Sequence, residues 1–333
     1  MIDNRIHEIK RLHKAFLSSL PGVTMVGVGY KIIKGEQTDR PAIMVFVEEK
    51  KPLKQLVPEA IVPTKLNGID TDVYESDEIV IFQDPTLRYR PAPGGVSIGH
   101  YKITAGTLGC AVRDKKTGKM VALSNNHVLA NSNNANPGDS AFQPGPYDGG
   151  TPSINNWGML TRFPLISMSP AVCPLAMGFC NIINLILTIL GRQTRLSGNG
   201  PAPFTANVVD CALAAPNKPE YLKNDILAIG MPKTQIRTAT PGLEVQKSGR
   251  TTRHTKDKVI AIDTTAKVNY GGPIAVFEHQ IVAGPMSAGG DSGSLVLDMD
   301  NRPVGLLFAG SDKVTIMNEI QRVMDALEIE FLE

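Results

Sequence analysis

The sequence predicts a mostly β protein with a small α+β domain at its N-terminal end and a helix at its C-terminal end. Among its 333 residues are 31 glycines and 24 prolines, and only 5% are aromatic. This composition favours many short strands joined by tight turns over a bundle of helices. The length and the apolar content of 42% allow two domains with separate cores, which we expect at residues 1–88 and 89–333.

The N-terminal domain is predicted from one helix and several extended segments. Charged residues alternate with apolar ones between residues 2 and 20, and Pro21 and Gly22 end the helix that this pattern predicts. Its buried stripe is expected to contain Ile6, Ile9, Leu12, Phe16 and Leu20. Apolar runs then predict strands at 23–33, 42–49, 61–63 and 69–75, with a short helical piece at 53–57.

A segment rich in proline and glycine at residues 91–99 is interpreted as a linker and marks the boundary of the second domain. Apolar residues at helical spacing from Val314 to Leu327 predict the C-terminal helix. The loop at 131–152 contains too much proline, glycine and asparagine for regular structure. Strands are predicted at 106–112, 120–123, 245–252, 259–263, 266–270 and 281–282.

An apolar segment at residues 164–191 interrupts this domain and contains no charged residue. Its length approaches that of a membrane-spanning helix, but prolines, asparagines and a glycine divide it. We expect an inserted helix that is buried against a neighbouring subunit or over a cleft. Membrane contact through this segment is the less favoured alternative.

The charge and the cysteine content limit the classes of binding partner and the cellular compartment that we expect. The chain has 34 basic and 32 acidic residues, so a net charge of +2 provides no long-range attraction to nucleic acid. Residues 1–20 do not have the pattern of a secretory signal. Cys110 and Cys211 are expected to be small buried hydrophobic residues. We therefore expect a protein of the reducing cytoplasm that does not bind nucleic acid.

Two segments have a pattern typical of nucleophilic catalysis. Small residues around Ser292, in Gly-Gly-Asp-Ser-Gly-Ser, predict a turn that exposes its hydroxyl and frees the neighbouring backbone amides. A surface turn before a strand is the alternative interpretation of this motif taken alone. A serine nucleophile needs a base, and among six histidines His127 is the candidate because it follows an apolar strand and a small polar turn.

Together, Ser124-Asn125-Asn126-His127-Val128 and Gly290-Asp291-Ser292-Gly293-Ser294 resemble motifs of the trypsin/chymotrypsin-like serine peptidases. The resemblance implies a trypsin-like double β-barrel in residues 89–333, with an aspartate between the two motifs. Asp210 fits, because it follows an apolar strand and precedes small apolar residues. The rival candidates are Asp139, Asp148 and Asp225.

The resemblance also implies roles for individual residues. Ser292 attacks a peptide carbonyl, His127 accepts and returns the proton, and Asp210 orients the imidazole. The backbone amides of Gly290 and Ser292 stabilise the oxyanion. No metal or cofactor is needed. Residues implied to bind substrate are Met286 at the base of the primary pocket, and Phe308 and Gly310 on a strand that pairs with the substrate.

Two further expectations follow from this resemblance. The thioether of Met286 provides no charge for a basic side chain, which predicts a preference for apolar residues before the scissile bond. Asp291, which pairs with a newly cut N-terminus in zymogen-derived peptidases, is expected here to pair with a backbone amide or a basic side chain.

A second resemblance covers the N-terminal domain and much of the remaining chain. Gly27–Lys31 and Thr38–Val47, with residues 143–150 and 247–252, are similar to Narrow-leaf-type trypsin-like proteins and their bacterial relatives. It implies assembly into a homo-oligomer or control of access to the cleft, and stabilisation of the barrels is an equal alternative.

The predicted function is that of a serine endopeptidase that acts on proteins or peptides. The alternative is a weakly active or inactive trypsin-like protein that binds peptides and assembles through its N-terminal domain.

Overall fold

The computed structural model describes residues 2–76, 79, 83–169, 174–192, 194 and 205–333. The chain divides into two compact units, Met1–Phe82 and Gln83–Glu333. The sequence-based boundary after residue 88 lies slightly C-terminal to this division.

The first unit packs one helix on a four-stranded sheet. The side chain of Asp3 caps the helix by accepting a hydrogen bond from the amide of Ile6. Strand order is β1-β2-β4-β3, with β2 and β4 parallel and the other pairs antiparallel. The elements are α1 (Asn4–Ser19), β1 (Val23–Ile33), β2 (Glu36–Val47), β3 (Lys65–Leu66) and β4 (Ile69–Glu75).

The buried face of α1 is narrower than the sequence predicts. Ile6, Ile9 and Leu17 are buried, but Leu12 and Phe16 are 69% and 47% exposed. The core of this unit lies on one side of the helix and includes apolar residues of β2. A spacing pattern cannot tell which edge of a stripe the sheet covers.

The second unit begins with an eight-stranded curled sheet of order β20-β8-β9-β12-β11-β10-β6-β7. Its core contains the fully buried Trp157. A parallel pair, β5 (Ala92–Gly94) with β13 (Leu222–Ile226), lies in the same unit. The strands of the sheet are β6 (Ser97–His100), β7 (Gly106–Thr107), β8 (Cys110–Asp114), β9 (Met120–Ser124), β10 (Ser140–Phe142), β11 (Asn156–Arg162), β12 (Ala212–Pro216) and β20 (Ile329–Phe331).

Six further strands form a closed barrel of order β14-β15-β16-β19-β18-β17. Together with the curled sheet, this barrel confirms the predicted trypsin-like double β-barrel. The strands are β14 (Glu244–Gly249), β15 (Arg253–Asn269), β16 (Ile274–Ala283), β17 (Leu295–Asp298), β18 (Pro303–Gly310) and β19 (Thr315–Glu319).

Two short helices and an inserted helix interrupt the first sheet. The short ones are α2 (Asn126–Leu129) and α3 (Pro152–Asn155), and the apolar segment forms α4 (Pro174–Ile189). Several large apolar side chains of α4 are more than 60% exposed, among them Phe179 and Ile182. Residues 170–173 of the predicted insert lie outside the described residues. Within the described ranges, no helix combines the length and the apolar character needed to cross a membrane.

The C-terminal helix α5 (Ile320–Leu327) is shorter than predicted. The first part of the predicted helix is instead β19, which pairs with both β16 and β18. Closing the barrel needs this strand, and its ladder of hydrogen bonds outweighs the local helical pattern. Leu327 and Phe331 then join a core cluster with strands of both barrels, such as Val112 and Leu306.

Candidate active site

His127 and Asp210 are brought together by the pairing of β9 with β12. Ser124, the last residue of β9, lies opposite Ala212 in an antiparallel register. The residues just beyond these two strand ends therefore lie side by side. The Nδ1 atom of His127 is 2.6 Å from Oδ2 of Asp210.

The Asp210 carboxylate is wholly buried and accepts four hydrogen bonds. Oδ1 accepts from the amides of Asn126 and His127, at 2.7 and 3.3 Å. Oδ2 accepts from His127 Nδ1 and, at 2.7 Å, from the Tyr270 hydroxyl. Because Nδ1 donates to the carboxylate, Nε2 of the imidazole is the nitrogen that can accept a proton. The His127 side chain is 24% exposed, so this nitrogen is accessible from the cleft.

Ser292 lies in the same cavity as His127. This cavity measures about 860 Å³ and is lined by residues of both barrels, among them Ile103 from the first and Tyr270 and Phe308 from the second. The Ser292 hydroxyl donates to the carbonyl of Phe308 at 3.3 Å. Among the hydrogen bonds of the described residues, none joins Ser292 to His127. This geometry must therefore change before the serine proton can pass to the imidazole.

The backbone of the turn before Ser292 is set by the conformation of a glycine and by a hydrogen bond from Thr251. Gly290 has a φ of +97°, which an L side chain rarely adopts. The carbonyl of Gly289 accepts a hydrogen bond from the Thr251 hydroxyl at 2.7 Å. Since a trans peptide holds C=O and N–H on opposite sides, the Gly290 amide points away from Thr251. In the described part of the chain, neither this amide nor that of Ser292 has a hydrogen-bond partner.

Asp291 has both kinds of partner that the sequence analysis anticipated. Lys247 Nζ lies 3.1 Å from its Oδ2, and both side chains are wholly buried. The amides of Thr251 and Ala288 donate to the carboxylate, as does the Thr252 hydroxyl. Burial raises the pKa of Asp291, but Lys247 and these hydrogen bonds outweigh it and hold the pKa below its ordinary value.

The rival aspartates are engaged elsewhere. Asp139 accepts from His100, and Asp225 pairs with Lys223. Asp148 forms a bidentate ion pair with Arg250. The Nη1 atom of Arg250 also donates a hydrogen bond to the Thr251 hydroxyl at 3.1 Å. Through Arg250 and Thr251, Asp148 is therefore linked to the turn before Ser292 and not to the imidazole.

The residues predicted to bind substrate are divided between core and cleft. Phe308 and Gly310 line the cavity. Met286 is only 2% exposed and packs in a barrel core, whereas its neighbour Ser287 lines the cavity. At this position the cavity wall therefore carries a hydroxyl where the sequence predicts a thioether.

Three residues of the site were not identified from the sequence. Lys247 and Thr251 lie in the Lys247–Thr252 segment, which was noted only for its similarity to other proteins. The neighbours of Lys247 in β14 are mostly polar, so nothing local in the sequence marks this lysine as buried. Nothing local marks Tyr270, because its partner Asp210 is 60 residues away. In the described part of the chain, no group of three or more His, Cys, Asp or Glu could hold a metal ion.

Comparison with known proteins gives one family match and several similar structures. Residues 6–76 match the family described as the NARROW LEAF 1 N-terminal domain. No curated protein matches the chain significantly. Nocardiopsis protease (NAPase) is 15% identical, with a TM-score of 0.46, over 72% of this chain and 98% of that one. Cellulomonas bogoriensis chymotrypsin is 14% identical, with a TM-score of 0.44, and the match covers 72% of this chain and 97% of that one. Thermobifida fusca protease A is 13% identical, with a TM-score of 0.45, also over 72% and 97%.

The fold assignment therefore rests on the strand order and on the closure of the second barrel. The chain joins an N-terminal segment that matches the NARROW LEAF 1 N-terminal domain to a second unit with the fold of the trypsin/chymotrypsin-like serine peptidases.

Proposed function

We propose that the protein is a serine endopeptidase in which Ser292 is the nucleophile, His127 the general base and acid, and Asp210 the group that orients the imidazole. The observation that carries this proposal is the 2.6 Å pair of His127 and Asp210, which borders the cavity that Ser292 also lines. A buried carboxylate with four donors can hold one imidazole tautomer and stabilise its charged form.

The proposed reaction has two halves. The Ser292 oxygen attacks the peptide carbonyl while its proton moves to Nε2 of His127, and the resulting oxyanion is bound by the amides of Gly290 and Ser292. The imidazolium then gives the proton to the leaving amine, and an acyl-enzyme remains. Water, deprotonated by His127, hydrolyses this ester and regenerates the serine.

We further propose that the substrate pairs as an added strand beside Phe308–Gly310 and has an uncharged side chain before the scissile bond. The apolar preference predicted from Met286 needs revision, because Met286 lies in the core. The wall of the cavity near Gly310 carries the Ser287 hydroxyl, whose oxygen lies 2.8 Å from the hydroxyl oxygen of Thr315. A peptide library cleaved strictly after basic or acidic residues would contradict this proposal.

A fluorophosphonate probe tests the nucleophile directly. We expect the probe to label Ser292, located by mass spectrometry, and the labelling to disappear in Ser292→Ala and to fall strongly in His127→Ala. Ser140→Ala, on β10, serves as the control and should be labelled like the wild type. Absence of labelling in the folded wild-type chain would overturn the proposal.

The second candidate function is a peptide-binding scaffold with little or no turnover. The hydrogen bond from Ser292 to Phe308 favours this alternative, because it directs the hydroxyl away from the imidazole. The scaffold hypothesis predicts that peptides bind in the cleft but that the fluorophosphonate does not react.

Assembly and location are also proposals. We propose a homo-oligomer in the reducing cytoplasm, with α4 buried against a neighbouring subunit or over the cleft. The exposed apolar side chains of α4 support a homo-oligomer. The free thiols of Cys110, Cys180 and Cys211 support the reducing compartment. Deleting residues 165–190 should reduce the mass measured by light scattering if α4 joins subunits.

A further inference from the structure

Among the described residues, Tyr270 is the one donor to the Asp210 carboxylate that comes from outside the segments carrying His127 and Asp210 themselves. Three of the four hydrogen bonds to the carboxylate come from residues 126 and 127. The fourth comes from the phenol of Tyr270, at 2.7 Å from the same oxygen that accepts from the imidazole. Tyr270 follows β15 and opens the turn of the β15–β16 hairpin in the second barrel.

The ring of Tyr270 is held from several sides. It stacks on Phe277, with ring centroids 6.2 Å apart, and Phe277 is wholly buried. Its plane is nearly perpendicular to the His127 imidazole, at a centroid distance of 6.0 Å. Burial, reinforced by the charge of Asp210, raises the pKa of the Tyr270 phenol far above its ordinary value. The group is therefore a permanent hydrogen-bond donor.

The hairpin that carries Tyr270 is fastened to the segment that leads into Asp210. The amide of Asn207 donates to Val276, and the amide of Glu278 donates to Asn207. The Asn207 side chain adds a hydrogen bond to the same Val276 carbonyl. These bonds lie only three residues before Asp210, so they join the hairpin of Tyr270 to the segment that carries the carboxylate.

We infer that Tyr270 is a positioning residue of the proposed reaction: its hydroxyl fixes the Asp210 carboxylate, and through it the His127 imidazole. A carboxylate oxygen that accepts from two donors is restrained from rotating, and the imidazole follows it. The β15–β16 hairpin thereby becomes part of the active site. This inference rests on the proposed function.

Tyr270→Phe tests the inference because it removes the hydroxyl and keeps the ring that lines the cleft. Labelling by a rhodamine fluorophosphonate is followed over a range of probe concentrations, which separates the maximal rate of inactivation from the concentration at half-maximal rate. We expect the maximal rate to fall about 10- to 100-fold, because a hydrogen bond to a charged group is lost. The half-maximal concentration should not change. Tyr101→Phe, an exposed tyrosine of the same unit, is the matched control and should behave like the wild type.

A second measurement does not depend on turnover. In proton NMR spectra, the Nδ1 proton of His127 shared with Asp210 should appear far downfield, and this resonance should shift or broaden in Tyr270→Phe but not in Tyr101→Phe. If the wild type reacts with the probe, an unchanged labelling rate in Tyr270→Phe overturns the inference and leaves the proposed function intact. If the wild type does not react, the proposed function fails and the resonance alone decides: an unchanged signal in Tyr270→Phe overturns the inference.

Discussion

The buried ion pair of Lys247 and Asp291 lies beneath the turn that carries Ser292. Both side chains are wholly buried, and among the described residues every other donor to the carboxylate comes from this turn or from the segment after β14. A buried pair contributes little compared with an apolar replacement of both members, but removal of one member leaves an uncompensated charge. The pair therefore matters for the shape of the turn more than for the total free energy of folding.

Lys247→Met should lower the free energy of unfolding by about 3–5 kcal/mol at pH 7, because Asp291 loses its counter-charge. In the wild type the folded-state pKa of Asp291 lies below its ordinary value of 3.8. The stabilisation is therefore present above about pH 4 and is lost as the pH falls through the folded-state pKa. The difference between variant and wild type should thus shrink in acid. Urea unfolding at several pH values measures it.

Lys223→Met is the control for this prediction, since Lys223 and Asp225 form a partly exposed pair. Its effect should stay within about 1 kcal/mol. A Lys247→Met variant as stable as this control at pH 7 would show that the buried pair does not hold the turn.

Gly290→Ala should abolish most of the reactivity of Ser292 without unfolding the chain. A Cβ atom at this position would lie 2.5 Å from Oγ1 of Thr251, so the turn must move. Loss of one oxyanion donor costs about 100- to 1,000-fold in rate. Gly138→Ala is a matched control, because its φ of +96° is nearly the same and its surroundings are open. Equal labelling rates in the two variants would contradict the assignment of Gly290.

At the level of elements, the β14–β15 turn connects the loop of Asp148 to the peptide between Gly289 and Gly290. Arg250 pairs with Asp148, its guanidinium donates to Thr251, and Thr251 donates to the carbonyl of Gly289. The turn ends at Arg253, whose φ of +59° is one that favours glycine. The backbone therefore has a left-handed conformation at this position although the residue is an arginine and not a glycine.

Thr251→Val should reduce the labelling rate of Ser292 about 5- to 10-fold, the effect of losing one hydrogen bond between neutral groups. Without the hydroxyl, the peptide between Gly289 and Gly290 is free to turn its amide away from the cleft. Thr251→Ser keeps the hydroxyl and should restore most of the rate. If the serine variant were as slow as the valine variant, the role of the hydrogen bond would be refuted.

At the scale of the whole molecule, each core cluster is built from residues of one unit. The cluster around Ile6 and Ile43 uses only the first unit, and the clusters around Trp157 and Leu306 use only the second. Because each unit has its own apolar core, each satisfies the main requirement for folding alone.

Residues 83–333, expressed without the first unit, should therefore unfold cooperatively and react with the fluorophosphonate like the full chain. If the first unit mediates assembly, the mass from light scattering should fall from that of an oligomer to that of one chain. An unchanged number of subunits would assign assembly to the second unit, and a chain that fails to fold would contradict the independence of the cores. Circular dichroism melting of both proteins is the control for folding, because it shows whether each protein unfolds cooperatively.

The sequence by itself determined the fold class, most strands and the segments that carry His127, Asp210 and Ser292. These features are local: a glycine-rich turn, a strand that ends in small polar residues and alternation of apolar side chains leave their pattern in neighbouring residues. Tertiary structure alone decided the contacts of Tyr270 and Lys247 with carboxylates 60 and 44 residues away. It also decided that residues 315–319 form a strand and that Met286 faces the core. Barrel closure sets these outcomes, because it determines which side chains come into contact and which face of a strand is buried. No short segment of the sequence contains that information.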